Sequence, residues 1–144
     1  MKDYQPARGG LSARKVRAEM IYQILSKLYL TTREEAEKLP EDFEVLVLSQ
    51  MPINRGVRIA IDDNAPWDAE VVSKIKNTVH RWISEGKNVC LACDACVSRS
   101  PSAAIVYLMS IGMDLEEALK FVKARHPGAY PSSIIIDSLL EQKI

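Results

Sequence analysis

Five residues separate Cys93 from Arg99 in the run Cys93-Asp94-Ala95-Cys96-Val97-Ser98-Arg99-Ser100-Pro101. A cysteine thiolate is a strong nucleophile at neutral pH. Arginine presents a planar fork of donors that matches two phosphoryl oxygens, which lysine cannot reproduce. A loop of this length between a strand and a helix can curl into a nest of inward-pointing backbone N–H groups. The helix that follows adds its unpaired N–H groups and the positive end of its dipole. Pro101 suits the first turn of that helix, where a missing N–H costs nothing. The run therefore predicts an anion cradle of phosphate size, formed by Asp94, Ala95, Cys96, Val97, Ser98 and Arg99 with Cys93 at its base.

The chemistry that follows is phosphoryl transfer to sulfur. The loop N–H groups and Arg99 stabilise the Cys93 thiolate, which attacks phosphorus to give a phosphocysteine. The Ser100 hydroxyl is placed to donate to the thiolate once phosphate leaves. The departing oxygen needs a proton, which a carboxylic acid at the rim supplies. Asp62 and Asp63, just past a strand ending at Ile61, are the candidates. Asp94 is expected to turn its side chain away from the phosphate, because an inward carboxylate would repel it.

Stepwise along the chain, strands alternate with helices. Met20 to Ile24 and Lys27 to Leu30 read as short strands, and Thr32 with Glu35 has capping-box spacing for a short helix that Pro40 ends. Glu44 to Leu48 is a β-rich run, and Val57, Ile59 and Ile61 alternate as in a strand. Val71, Val72, Ile75, Val79, Trp82 and Ile83 share one face of a helix opened by Asp68 and stopped by Gly86. Asn88 to Ala92 predicts a buried strand leading into the cysteine loop. Ser102 to Met113 is apolar almost all round, which suits a central helix. Asp114 and Glu117 cap a helix that runs to about Arg125, and Pro131-Ser132 opens the last one. The expected fold is α/β, a single domain with a central mostly parallel sheet flanked by helices and the phosphate loop between a central strand and a buried helix. Ligands of such sheets bind beyond the carboxyl ends of the strands, where this loop lies.

Composition narrows the function further. The chain has 144 residues, 26% of them charged, with a net charge of zero. Such a balance disfavours nucleic acid and membrane surfaces as partners. The first 19 residues are locally basic and read as a flexible extension ahead of a domain over 20–144. The start of the chain carries no apolar signal run and no stretch is long enough to span a bilayer, so a soluble cytoplasmic protein is expected. Clustered cysteines argue for chemistry rather than a secreted disulfide framework.

The residues carry a resemblance to the dual-specificity branch of the cysteine-dependent protein tyrosine phosphatases. Lys27-Leu28-Tyr29-Leu30 is similar to that family's early segment, and Ile61-Asp62-Asp63-Asn64 resembles its general-acid loop. Cys93 to Arg99, continued by Ser100-Pro101-Ser102, resembles its signature. Ala118 to Lys123 and Pro131-Ser132 resemble its final helices. The resemblance implies Cys93 as nucleophile, Arg99 as phosphate clamp, Ser100 as thiolate partner and Asp63, rather than Asp62, as general acid. It implies phosphotyrosine and phosphoserine or phosphothreonine in proteins as substrates, no cofactor and no metal. Phosphate or sulfate is expected to fill the loop. Two positions depart from the family pattern. Ala92 stands where the family has a histidine that orients the loop. Cys96 stands where it has glycine, and a positive φ there would cost a residue with a Cβ roughly 1 kcal/mol or more.

Other readings of these residues follow different chemistry. Retained phosphate binding without turnover would make the chain a pseudophosphatase, a reading that Ala92 and Cys96 motivate. Cys90, Cys93 and Cys96 also have the spacing that begins a bacterial ferredoxin site, although no fourth cysteine exists in the chain. Cys90 reads as a small buried residue, or Cys90 or Cys96 as a trap for oxidised Cys93. His80 reads as a helix-surface residue and His126 as a helix cap. Trp67 and Trp82 read as core, with Trp67 near enough to the acid loop to line a pocket. Arg125 is a candidate second anion contact.

Overall fold

A computed structural model describes residues 20–144, and the basic extension read over 1–19 lies outside the described residues. A five-stranded sheet in the order β1-β2-β5-β3-β4 forms the middle of the molecule. The strands are β1 (Tyr22–Leu25), β2 (Leu28–Thr32), β3 (Phe43–Leu48), β4 (Val57–Ile59) and β5 (Asn88–Cys93). The sheet is mixed: β2, β5, β3 and β4 run parallel, and β1 pairs antiparallel to β2 as a hairpin. The helices are α1 (Arg33–Ala36), α2 (Ala69–Ser84), α3 (Arg99–Ser110), α4 (Leu115–Arg125) and α5 (Ser133–Leu140).

Alternation along β5 divides the core. Val89, Leu91 and Cys93 face a large apolar cluster with α2, α3, α4 and α5, while Cys90 and Ala92 face a smaller one with Tyr29, Phe43 and Val45. The α2 helix contributes Val72, Ile75, Val79 and Trp82 from one face, as their spacing predicts. Its first turn is capped by Asp68, whose side chain accepts from Val71 N at 3.0 Å. The α3 helix is buried from Ser100 to Leu108 and forms the layer beneath the sheet.

Several boundaries differ from the sequence reading by a few residues. The strand expected to reach Ile61 stops at Ile59, because β3, its only partner among the described residues, ends at Leu48, which pairs with Ile59. The central helix spans Arg99–Ser110, shifted toward the loop from the apolar run Ser102 to Met113, with Pro101 in its first turn as expected. At the end of the sheet opposite the loop, Gly56 adopts φ +89°, and a Cβ there would run into the Val45 carbonyl. Next to it, the Arg55 guanidinium gathers the carbonyls of Ala36, Leu39, Pro40 and Phe43, which ties the α1–β3 connection to β4.

Candidate active site

Strand register places the first groups of the site. Pairing of Thr32 with Cys93 and of Val47 with Ala92 puts Cys93 at the carboxyl edge of the central strand. Arg33 and Ser49 follow the neighbouring strands, on either side of Asp94. The Asp94 carboxylate accordingly accepts from Ser49 Oγ at 2.7 Å and Arg33 Nε at 3.0 Å. Its other oxygen meets Arg99 Nη2 at 3.2 Å. Burial alone would raise its pKa, but the bonds from Ser49, Arg33 and Arg99 outweigh burial and leave it lowered. A lowered folded-state pKa means that this anchorage stabilises the loop above the carboxylate's unfolded pKa. It is lost as pH falls through the folded value.

Cys93 is 2% exposed, and its Sγ receives the Ser100 backbone N–H at 3.3 Å. Ser100 Oγ lies 3.3 Å from the same sulfur. The α3 cap residue, Ser98, makes no side-chain bond to its own helix; its Oγ instead accepts from Ser132 N at 2.7 Å. Ser98 therefore does not cap α3 with its side chain; in the first turn the Ser100 N–H goes to Cys93 Sγ, so the positive end of the helix faces the nucleophile. Arg99 is held from below, with Nη1 donating to the Ile61 carbonyl at 2.9 Å. Its Nε lies 3.9 Å from Asp63 Oδ1. A small cavity of about 30 Å³ is lined by Asp63, Cys93, Ala95, Val97, Ser98 and Arg99. Asp94 and Cys96, the other two cradle residues read from the sequence, do not line it with their side chains.

The two acidic candidates separate clearly. Asp62 Oδ1 accepts from Asn64 N at 2.8 Å in a local turn. Asp63 lines the same cavity as Cys93 and Arg99. Trp67 does not line the cavity. It is 1% exposed, and α5 and its C-terminal end hold its backbone through Ser138 Oγ and Gln142 Nε2. Arg125 lies 3.5 Å from the Phe121 ring, donates to the Phe121 carbonyl and is not among the residues that line the cavity. His80 bridges α2 to α3 through Ser110 Oγ at 2.8 Å.

Cys96 has φ +58°, the left-handed conformation expected where the family places glycine. Its Sγ is buried and accepts from Ser100 Oγ at 3.5 Å. Burial first, and the Cys93 charge after it, push its pKa up to about 12 against the opposing Ser100 bond. Such a thiol is almost wholly protonated at neutral pH and attacks an oxidised neighbour poorly. Cys90 lies on the opposite face of the sheet from Cys93, and burial raises its pKa too. The three sulfurs therefore do not converge on one point as an iron–sulfur cluster requires.

Sequence reasoning placed His126 as a cap. Its backbone does cap α4, donating to the Val122 carbonyl. Its side chain does more: Nε2 lies 2.6 Å from the carbonyl oxygen of Cys96. Nothing in the local sequence marks that contact, which joins residues thirty positions apart.

The family model described as "Dual specificity phosphatase, catalytic domain" matches residues 31–143. The chain belongs to the dual-specificity phosphatase family. Dual specificity protein phosphatase 8 of Mus musculus is 34% identical over 97 residues, covering 61% of this chain and 14% of that protein. A putative tyrosine phosphatase, 123R, of Invertebrate iridescent virus 6 is 32% identical over 87 residues, covering 59% of this chain and 61% of the viral one. The chain thus spans a small part of the mouse relative and under two thirds of the viral one.

Solved structures share the fold of this family member. The human tyrosine phosphatase-like serine/threonine/tyrosine-interacting protein superposes with a TM-score of 0.75 at 22% identity, over 85% of this chain and 94% of that one. A mouse putative dual specificity phosphatase complexed with zinc tungstate gives 0.71 at 20% identity, over 85% and 86%.

Proposed function

We propose that this chain hydrolyses phosphomonoesters on proteins, phosphotyrosine together with phosphoserine and phosphothreonine, through a phosphocysteine on Cys93. One observation carries the reading: Cys93, Arg99 and Asp63 line one small cavity. In the first step the Cys93 thiolate forms a bond to phosphorus as the P–O bond breaks, and Asp63 protonates the leaving oxygen. Water then attacks phosphorus with Asp63 as base, releasing phosphate and the thiolate, which Ser100 Oγ stabilises. The loop N–H groups and the Arg99 fork hold the equatorial oxygens throughout, so most of the catalysis is positioning and charge stabilisation.

The ligand in the mouse structure supports an oxyanion in this loop, since tungstate is tetrahedral like phosphate. The family assignment supports protein substrates. The zero net charge offers nucleic acid no general attraction. No described helix is long and apolar enough to cross a membrane, and the cytoplasm is the compartment proposed.

The test is hydrolysis of aryl phosphates whose leaving groups differ in acidity, by freshly reduced protein. Asp63→Asn is expected to lower kcat by about 10²- to 10⁴-fold on poor leaving groups. Its effect should shrink as the leaving group improves, because a good one departs unprotonated. An Asp63→Asn loss independent of the leaving group would remove Asp63 from the acid role. Absence of any turnover by reduced wild type would leave a phosphate-binding pseudophosphatase.

A further inference from the structure

A nest that points its N–H groups inward at an anion must point its carbonyls outward. If those carbonyls are buried, each needs a donor. Here the α4–α5 connection supplies donors to three successive loop residues. His126 Nε2 reaches the Cys96 carbonyl at 2.6 Å, and Tyr130 N reaches the Val97 carbonyl at 2.7 Å. Ser132 N reaches Ser98 Oγ at 2.7 Å. Only the first of these donors is a side chain, and it acts on the one loop residue with positive φ.

The imidazole is fixed from several sides. It is 5% exposed and stacks on Tyr22 of β1, with centroids 3.8 Å apart and planes 16° apart. Gly128 packs so closely that an added Cβ would come within 3.3 Å of His126 Cε1. A carbonyl oxygen only accepts, so Nε2 carries the proton, and Nδ1 is buried without a hydrogen-bond partner. The Nε2 bond thus has no competitor at the other ring nitrogen among the described residues.

We propose that His126 is a positioning residue for phosphate binding: its Nε2–H holds the Cys96 carbonyl outward, which keeps the left-handed peptide at Cys96 in the anion-binding conformation. This chain needs such a clamp because its loop lacks glycine at that position and has Ala92 where the family places an orienting histidine. Without the bond, Cys96 tends to leave the left-handed region and turns a loop N–H away from the anion. The proposal rests on the phosphatase reading for its consequence in turnover, but oxyanion binding reads it directly.

The experiment is calorimetric titration with tungstate, paired with kcat/KM on an aryl phosphate, for His126→Ala, Cys96→Gly and the double variant. His126→Ala is expected to weaken tungstate and lower kcat/KM, each by about tenfold, the equivalent of one hydrogen bond. Cys96→Gly in that background should restore most of both losses, because glycine keeps positive φ unaided. A purely structural histidine would show a lower Tm with unchanged tungstate affinity, or a loss that Cys96→Gly leaves in place; either result overturns the proposal. Nitrogen NMR of the wild-type ring covers the case of a variant that fails to fold. It should show protonated Nε2 and bare Nδ1, and the opposite tautomer would contradict the clamp. Tungstate binding without turnover would refute the phosphatase reading while leaving this one standing.

Discussion

Cys93→Ser should reduce aryl phosphate hydrolysis by at least about a thousandfold while leaving tungstate affinity equal or tighter. The reason is the division of labour within the loop. Binding comes from the N–H groups of the nest, the α3 terminus and Arg99; of these the substitution alters only the partner of the Ser100 N–H, a bond that a serine oxygen can still accept. Bond formation to phosphorus comes from the sulfur alone. A serine hydroxyl is almost wholly protonated at neutral pH and finds no carboxylate or imidazole bonded to it here; the partners of the Cys93 sulfur are the Ser100 N–H, which donates to it, and Ser100 Oγ, which accepts from it. Removing the thiolate also removes one negative charge facing the incoming anion, so affinity should not fall. Retained turnover in the serine variant would place the nucleophile elsewhere. Loss of tungstate binding together with turnover would indicate a collapsed loop rather than a missing nucleophile.

Arg99→Lys is the second large effect, because it separates charge from geometry. The guanidinium lies between Asp63, Asp94 and the Ile61 carbonyl, with its side chain only 12% exposed. Those acceptors aim the fork; a lysine keeps the charge but offers no rigid pair of donors. A misplacement of about 1 Å at a reacting centre costs on the order of a hundredfold. The expected result is a fall in kcat/KM of about a hundredfold or more for Arg99→Lys, close to that for Arg99→Ala. Tungstate affinity should fall less in the lysine variant than in the alanine variant, since point-charge attraction survives. If Arg99→Lys stayed within a few-fold of wild type in kcat/KM, the fork would have no role beyond its charge.

Much of this was legible before the fold was known, for reasons that are local. Cys93, Arg99 and Ser100 belong to one short run, and the strand before and the helix after it are marked by their own apolar patterns. The left-handed turn at Cys96 was readable as a position normally given to glycine. The strand ending near Ile61 already made Asp62 and Asp63 the candidates for the acid, and only the family resemblance chose Asp63 between them, because which carboxylate turns inward is set by the assembled loop. The partners of Asp94 illustrate the missing information. Arg33 and Ser49 reach it through the β2–β5 and β3–β5 registers, and register is a property of the assembled sheet.

His126 was missed for a similar reason. A histidine followed by Pro127 and Gly128 reads as a helix ending, which its backbone fulfils. The work of its side chain depends on α4 ending beside the phosphate loop. Trp67 was over-read in the other direction. It lies close to the acid loop in sequence, but Ser138 and Gln142 pin its backbone and its ring is buried in the core.

The most direct test of phosphoryl transfer to Cys93 is capture of the intermediate. In Asp63→Asn, an aryl phosphate with a good leaving group needs no acid for the first step, whereas the second still lacks its base. The phosphoenzyme should therefore accumulate during turnover. Denaturant quenching followed by peptide mass spectrometry is predicted to find one phosphoryl group, on Cys93, and none in the Cys93→Ser, Asp63→Asn double variant. Phosphate on any other residue, or full turnover by Cys93→Ser, would contradict the account.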